Sequence, residues 1–380
     1  MRSPLLRVFA FQLHRYLGLA CGLILIVIGL TGSLLIFSSE LEHQLIQNKI
    51  GKIVPQGVPI SIDQIFATVQ NELRRSSGLT LGNLLVPQDA TSPYQARLWD
   101  ANDHLVQLFI NPYTGQVMGS LPQAENWTRG VLDLHYQLLA GQTGKVIAGI
   151  SALLLFVLSL SGIVLWPGWR KLISGFKIKW NAHPKRLNFD LHKVAGIITA
   201  IFLAFTGFTG FCWNFYDWSS VMIYAATLTP KPPELVSNPL PGQSLLAASK
   251  LVEIANHNLP NSVTTYVNLP DKPNGIVRIG KRQAHETAEY GDSEVVLDPY
   301  TGKVLRVQDS KSLALGDRVL NSFVPLHYGT FGGLPTRILY VFVGLSPLVL
   351  FITGLVMWWH RKRNRPPTPA ITHQSTSNVS

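Results

Sequence analysis

His14-Arg15-Tyr16-Leu17-Gly18 opens a long apolar run that later carries Gly29-Leu30-Thr31-Gly32. His192-Lys193-Val194-Ala195-Gly196 opens another, which carries Gly207-Phe208-Thr209-Gly210. Every matched position in these two stretches is 178 residues apart, without a gap. A second set matches at a spacing of 192: Leu134-His135-Tyr136, Gly141, Gly162 and Trp166 against Leu326-His327-Tyr328, Gly333, Gly354 and Trp358. Between the sets, Asn111-Pro112-Tyr113-Thr114-Gly115 is echoed by Asp298-Pro299-Tyr300-Thr301-Gly302. The chain is one unit of helix, domain and helix written twice.

The helices of that unit are long enough to cross a bilayer. Apolar runs occupy residues 13–37, 146–166, 194–213 and 338–359, each near the ~20 residues that span a hydrocarbon core. Only 14% of the 380 residues are charged, against 47% hydrophobic, and soluble domains average about 25% charged. The first run is longer than the ~7–15-residue core of a secretory signal and lacks a small-x-small cleavage site. It also recurs at residue 192, where no signal could act, so it is read as a retained anchor.

Charge sets the orientation. The N-terminal stretch through Arg15, the link 167–191 and the tail 360–380 carry thirteen Lys and Arg and a single acid, Asp190. The connections 38–142 and 214–335 hold 6 and 10 basic residues against 9 and 11 acids. The positive-inside rule therefore puts both termini and the link in the cytoplasm and both long connections outside. The net charge of +11 is thus juxtamembrane and gives no basic domain face for nucleic acid. Cys21 and Cys212 fall in or beside the spans and imply neither a disulfide framework nor a thiolate metal site.

The expected fold is membrane α-helical, with four transmembrane helices in two pseudo-symmetric halves, each carrying an extracytoplasmic α+β domain. The boundaries are 1–37 for the N-terminus and first span, 38–142 for the first outer domain and 143–166 for the second span. Residues 167–191 form the basic link, 192–213 the third span, 214–335 the second outer domain, 336–359 the fourth span and 360–380 a disordered tail. In the first domain a helix is predicted over 61–75 and strands over 81–86, 94–99, 105–110 and 116–118. In the second the helix covers 245–255 and the strands 263–269, 275–279, 294–297 and 303–307. The Pro-Tyr-Thr-Gly turns read as structural, with Gly115 and Gly302 supplying positive φ.

Of eleven histidines, four are related by the repeat: His14 with His192, and His135 with His327. The topology puts the first pair at the cytoplasmic face and the second at the outer face. A two-fold arrangement of the spans would bring each pair together, and two facing imidazoles in a helical bundle can ligate haem iron from both sides. From His14, Gly18, Gly22, Gly29 and Gly32 all fall within about 80° on a helical wheel. Gly196, Ala200, Gly207 and Gly210 repeat those offsets from His192. Such a stripe leaves space for a flat macrocycle beside the histidine. The plainer readings are close helix packing for the small residues and interfacial anchoring for a single histidine. Anchoring does not call for two pairs at repeat-equivalent places. No carboxylate or cysteine recurs beside these histidines at zinc-ligand spacing. His43, His183 and His360 lack repeat partners and stand as reserve ligands. His104, His257, His285 and His373 read as solvated. Trp166, Trp169, Trp213, Trp218, Trp358 and Trp359 read as interfacial belts.

The His-Arg/Lys-x-x-x-Gly opening, the Gly-x-Thr-Gly element and the Asn/Asp-Pro-Tyr-Thr-Gly turn resemble the PepSY-associated transmembrane family, from about His14 to Trp359. The resemblance implies that the outer domains are PepSY domains of an iron-regulated bacterial inner-membrane protein. Some members are ferric-siderophore reductases with two haems. It makes His14, His192, His135 and His327 haem-iron ligands and places Gly18 and Gly196 beside the cofactor, two haem b in all. The expected activity is then ferric-chelate reduction on the periplasmic side. The cytoplasmic pieces are too short for a flavin or nicotinamide domain, so the donor would be a separate reductase or quinol. The alternative is a non-enzymatic, membrane-anchored PepSY protein that binds or restrains a partner such as a peptidase.

Overall fold

A computed structural model of the chain describes residues 4–76, 78–239 and 242–363. The first copy of the repeat runs α1 (Pro4–Leu35), α2 (Ser38–Ile50), α3 (Ile62–Arg75), β1 (Thr80–Leu85), β2 (Tyr94–Trp99), β3 (Leu105–Ile110), β4 (Val117–Pro122), α4 (Trp127–Gln137) and α5 (Gly141–Leu165). A short helix in the link, α6 (Leu172–Phe176), precedes the second copy. That copy runs α7 (Pro184–Asn214), α8 (Tyr216–Ala226), α9 (Ala248–Asn258), β5 (Ser262–Asn268), β6 (Val277–Gln283), β7 (Ser293–Leu297), β8 (Val304–Gln308), α10 (Leu315–Tyr328) and α11 (Leu334–Arg363).

Among the described residues, four helices are long and apolar enough to cross a membrane: those at Leu5–Leu35, Gly141–Trp169, Pro184–Asn214 and Leu334–Arg363. Each coincides with one of the apolar runs, the first ending two residues short of it, and the chain is a multi-pass membrane protein. The helices pack as a closed ring in the order α1, α5, α7, α11, so α1 lies diagonally across from α7. Glycines set the close approaches. A Cβ at Gly29 would strike the Gly344 carbonyl on α11, and one at Gly207 would meet the Ala152 carbonyl on α5. Gly22 is covered by the ring of Phe351. These three stripe positions serve helix packing, which corrects the reading of the whole stripe as space for a ligand.

Two separate strand domains are expected from the repeat, and here the structure differs. All eight strands form one antiparallel sheet in the order β4-β3-β2-β1-β5-β6-β7-β8. The joint pairs Leu84 with Val267 and Leu85 with Tyr266, and the Val86 amide donates to the Thr265 carbonyl at 2.9 Å. One face of the sheet buries a continuous core under α3 and α9, including Ile65, Phe66 and Val69 from the first copy and Leu251 and Ala255 from the second. Leu84, Val267, Ile279 and Leu297 in that core are fully buried. A four-stranded layer with one helix leaves an open edge strand and little apolar area to bury. Pairing β1 with β5 removes two edges at once. On the opposite face, α2 packs Ile46 against Phe109 and Leu121.

Local signals place the ends of these elements. Ser61 caps α3 through a reciprocal box with Gln64. In each copy the turn tyrosine fixes a neighbouring loop, Tyr113 donating to the Ala90 carbonyl at 2.9 Å and Tyr300 to the Pro273 carbonyl at 2.8 Å. Gly115 and Gly302 take φ of 70° and 71°. Arg337 of α11 forks onto Glu40 at the start of α2, at 2.5 and 2.7 Å, tying the bundle to the sheet. The fourth span continues through Arg363, beyond the expected start of the tail at residue 360. The remainder of that tail, with His373, lies outside the described residues. The short helices α2, α4, α8 and α10 are not anticipated from the sequence.

Leu84 sits in the core at the joint, and its truncation tests the fusion. Leu84→Ala should cost about 2–5 kcal/mol and lower amide protection in β2–β3 and β6–β7 together, read by hydrogen exchange. Loss confined to β1–β4 would show two independent sheets.

Candidate functional site: two facing histidine pairs

The four repeat-related histidines meet as two pairs. The rings of His14 on α1 and His192 on α7 have centres 6.3 Å apart, at an interplanar angle of 84°. The rings of His135 on α4 and His327 on α10 have centres 6.2 Å apart, at 82°. The first pair crosses the diagonal of the bundle at the link end. The second crosses it at the sheet end, carried by the short helices that lead into α5 and α11. Thr31, which touches His135, lies 17 residues from His14 along α1, an axial separation of roughly 26 Å at about 1.5 Å per residue.

Each imidazole rests on the same small device, a hydroxyl residue followed by glycine. His14 Nδ1 lies 2.9 Å from Ser161 Oγ and 3.1 Å from the Leu158 carbonyl. His192 Nδ1 lies 2.8 Å from Thr353 Oγ1. At the other end, His135 Nδ1 is 3.1 Å from Thr31 Oγ1 and 2.9 Å from the Ile28 carbonyl. His327 Nδ1 is 2.7 Å from Thr209 Oγ1. The next residue in each case, Gly162, Gly354, Gly32 or Gly210, faces the ring, and a Cβ there would stand 3.0–3.6 Å from the histidine Cε1. A Cβ would crowd the ring at Gly32 and Gly162, at 3.0 and 3.3 Å, and would make ordinary contact at Gly210 and Gly354.

The hydrogen bonds fix the tautomer. All four hydroxyls have carbonyls of their own helix within reach: Ser161 donates to Leu158 at 3.0 Å, Thr353 to Val349 at 2.7 Å, Thr31 to Val27 at 2.7 Å and Thr209 to Phe205 at 2.8 Å. A hydroxyl has one proton, so with it committed to a carbonyl the oxygen can only accept from the ring. Nδ1 therefore carries the hydrogen, and Nε2 keeps its lone pair. Two trans imidazole nitrogens at about 2.0–2.1 Å from one metal put their ring centres roughly 6.3–6.5 Å apart. The ring centres, at 6.3 and 6.2 Å, lie close to that separation.

Among the described residues, no group of three or more His, Cys, Asp or Glu could hold a metal. Each pair thus offers two imidazoles without a third His, Cys, Asp or Glu donor among the described residues. Gly18 and Gly196 line this region with room to spare, their nearest neighbours being Leu158 and Leu350 at 3.8 and 3.6 Å from an added Cβ.

The reserve histidines do not join the pairs. His183 caps α7, its Nδ1 accepting from the Lys185 amide at 3.3 Å. His43 is exposed on α2, and His360 lies in the last turn of α11. Two tryptophans leave the interfacial-belt reading. Trp166 is buried against Phe176 and Trp169, and the Trp213 ring lies 4.8 Å from that of His327. Sequence reading misses Ser161 and Thr353, although Ser161-Gly162 and Thr353-Gly354 sit at the same spacing of 192 as the histidines of the second set.

No curated protein matches the chain. A family model described as the PepSY-associated TM region matches residues 11–361, taking in all four histidines, their hydroxyl–glycine seats and the eight-stranded sheet. That match agrees with the four apolar helices and the repeated motifs, and the chain belongs to the PepSY-associated TM region family.

Proposed function

We propose that this protein is a di-haem electron conduit of the bacterial inner membrane that reduces a ferric chelate, such as a ferric siderophore, outside the cytoplasm. The observation that carries the proposal is the two imidazole pairs, with ring centres 6.3 and 6.2 Å apart and every Nδ1 held by a hydroxyl of a neighbouring helix. His14 with His192, and His135 with His327, would each hold one haem b, a metal group that brings its remaining donors with it and so needs no third protein ligand. Haem held by two histidines exchanges single electrons without an open position for oxygen chemistry.

The chain's own residues do the holding. Ser161, Thr353, Thr31 and Thr209 keep each Nδ1 protonated, which aims Nε2 and raises its basicity as a ligand. The glycines after them set the depth of each ring. On this reading the two copies are related by a pseudo-two-fold axis along the bundle, because each site takes one histidine from each copy. The charge bias places both termini and the link in the cytoplasm and the sheet in the periplasm. The link-end pair then faces a separate donor, a cytoplasmic reductase or a quinol, and the sheet-end pair faces the acceptor. The acceptor's Fe(III) gains one electron to become Fe(II), which hard oxygen chelators hold less strongly.

The purified full-length protein should show sharp, dithionite-responsive haem bands at two haems per chain. His135→Ala or His327→Ala should remove one haem and leave the other. Because the ring planes in both pairs are close to perpendicular, the oxidised protein should give strongly anisotropic low-spin electron paramagnetic resonance signals rather than a rhombic spectrum. A colourless preparation would overturn the conduit and favour the alternative, a membrane-anchored PepSY protein that binds a partner such as a peptidase.

The seats also differ in a testable way. His135 keeps the Ile28 carbonyl when Thr31 is lost, whereas Thr209 is the hydrogen-bond partner of His327. Thr209→Val should therefore weaken haem retention by about 10–100-fold, and Thr31→Val by less. Equal losses in a haem-transfer assay would sink the tautomer argument.

A further inference from the structure

The link between the second and third spans is a compact knot with one side left open. Trp166 is its buried centre, and Gly168 and Gly175 press on the indole so closely that a Cβ at either would overlap the ring. The ring of Phe176 stands 5.0 Å away. A buried ion cluster ties the knot to α7. Lys193 Nζ donates to the Ser174 carbonyl at 3.0 Å, the Lys177 carbonyl at 2.9 Å and Asp190 Oδ1 at 2.7 Å. Asp190, wholly buried, also accepts from the Lys179 amide and the Arg186 guanidinium, each at 3.2 Å. Residues 174–179 are thus held by two side chains of α7, Lys193 and Asp190.

The open side is apolar and basic at once. Ile173 is 85% exposed, Trp180 67% and Leu172 64%, with Trp169 and Phe176 beside them. Arg170, Lys171, Lys177 and Lys179 are exposed as well, and residues 166–189 contain no acid. The charge of Asp190 is already matched by Lys193 and Arg186.

We propose that residues 169–180 form a platform seated in the bilayer surface, where its basic side chains bind anionic lipid headgroups. Two observations select lipid as the occupant. The apolar side chains continue directly from a membrane span that ends at Trp169, so they already stand at the edge of the hydrocarbon. Interleaved Lys or Arg with Trp, Phe and Leu is the composition of an element lying in the interface plane, where long basic side chains reach the phosphates. The clamp from Lys193 presents this surface ready-made, so no folding accompanies binding. The inference does not depend on what the histidine pairs hold.

The test uses full-length protein with Ile173→Cys carrying a polarity-sensitive fluorophore, in nanodiscs of phosphatidylcholine with or without phosphatidylglycerol. Cys21 and Cys212 are buried, and the unsubstituted chain controls for their labelling. Emission should be blue-shifted, quenched by brominated lipid and protected from aqueous iodide, and phosphatidylglycerol should deepen the shift. Each basic side chain near the surface adds about fivefold to anionic-lipid partition. Replacing Arg170, Lys171, Lys177 and Lys179 with Gln should therefore raise the phosphatidylglycerol needed by more than tenfold. Arg170→Lys, which keeps the charge, should behave as the parent. Free quenching by iodide in every disc would overturn the seating. Insertion indifferent to phosphatidylglycerol would overturn headgroup binding, and protection seen only with an added acidic protein would overturn lipid as the partner.

Discussion

An imidazole inside an apolar helical bundle needs somewhere to put its ring hydrogen, and this protein answers that need four times in the same way. A Ser or Thr whose own proton goes to the carbonyl three or four residues back becomes a pure acceptor, and the following glycine lets the ring come close enough to use it. The cost of an unpaired polar group in such a place is a few kcal/mol, so the seat is what allows a histidine there at all. The same bond leaves Nε2 with its lone pair, so the tautomer of each ring follows from this one contact.

The sheet explains why the sheet-end pair can form. His135 and His327 sit on α4 and α10, which lie between the strands and the spans. Joining β1 to β5 fixes the two strand sets to each other, and thereby fixes the starting points of those two helices. The exits from the helices differ between the copies. Leu138 and Leu139 take left-handed φ of 52° and 54° after α4, while Gly329 does so after α10. A non-glycine residue in that region carries a cost of order 1–3 kcal/mol, which the surrounding packing offsets to bring α4 back onto α5.

Asymmetry enters at two other places. Trp213 lies against His327, whereas the matching position in the first copy is Leu35. Beside the link-end pair, Lys193 is neutralised by a buried aspartate, whereas the matching Arg15 stacks on Phe11 and Tyr16. A buried ion pair stabilises little by itself. Here it holds the carbonyls of the link in register with the third span.

Much was legible in the residues alone. Four spans, their charge bias, the helix at residues 61–75 and the strands at 94–99 and 105–110 follow from length, composition and alternation, which are local properties. The pairing of His14 with His192 and His135 with His327 was legible because a duplicated unit repeats its contacts. The fusion of the strands into one sheet was not, because the β1–β5 joint brings together residues some 180 positions apart with no signature beyond ordinary strand pattern. Nor did the glycine stripe declare its division of labour, since packing and seating ask for the same small residue. By itself the sequence determined which side chains could meet; the tertiary structure decided which ones do, because only the closed ring of helices sets the distance across which an imidazole must reach.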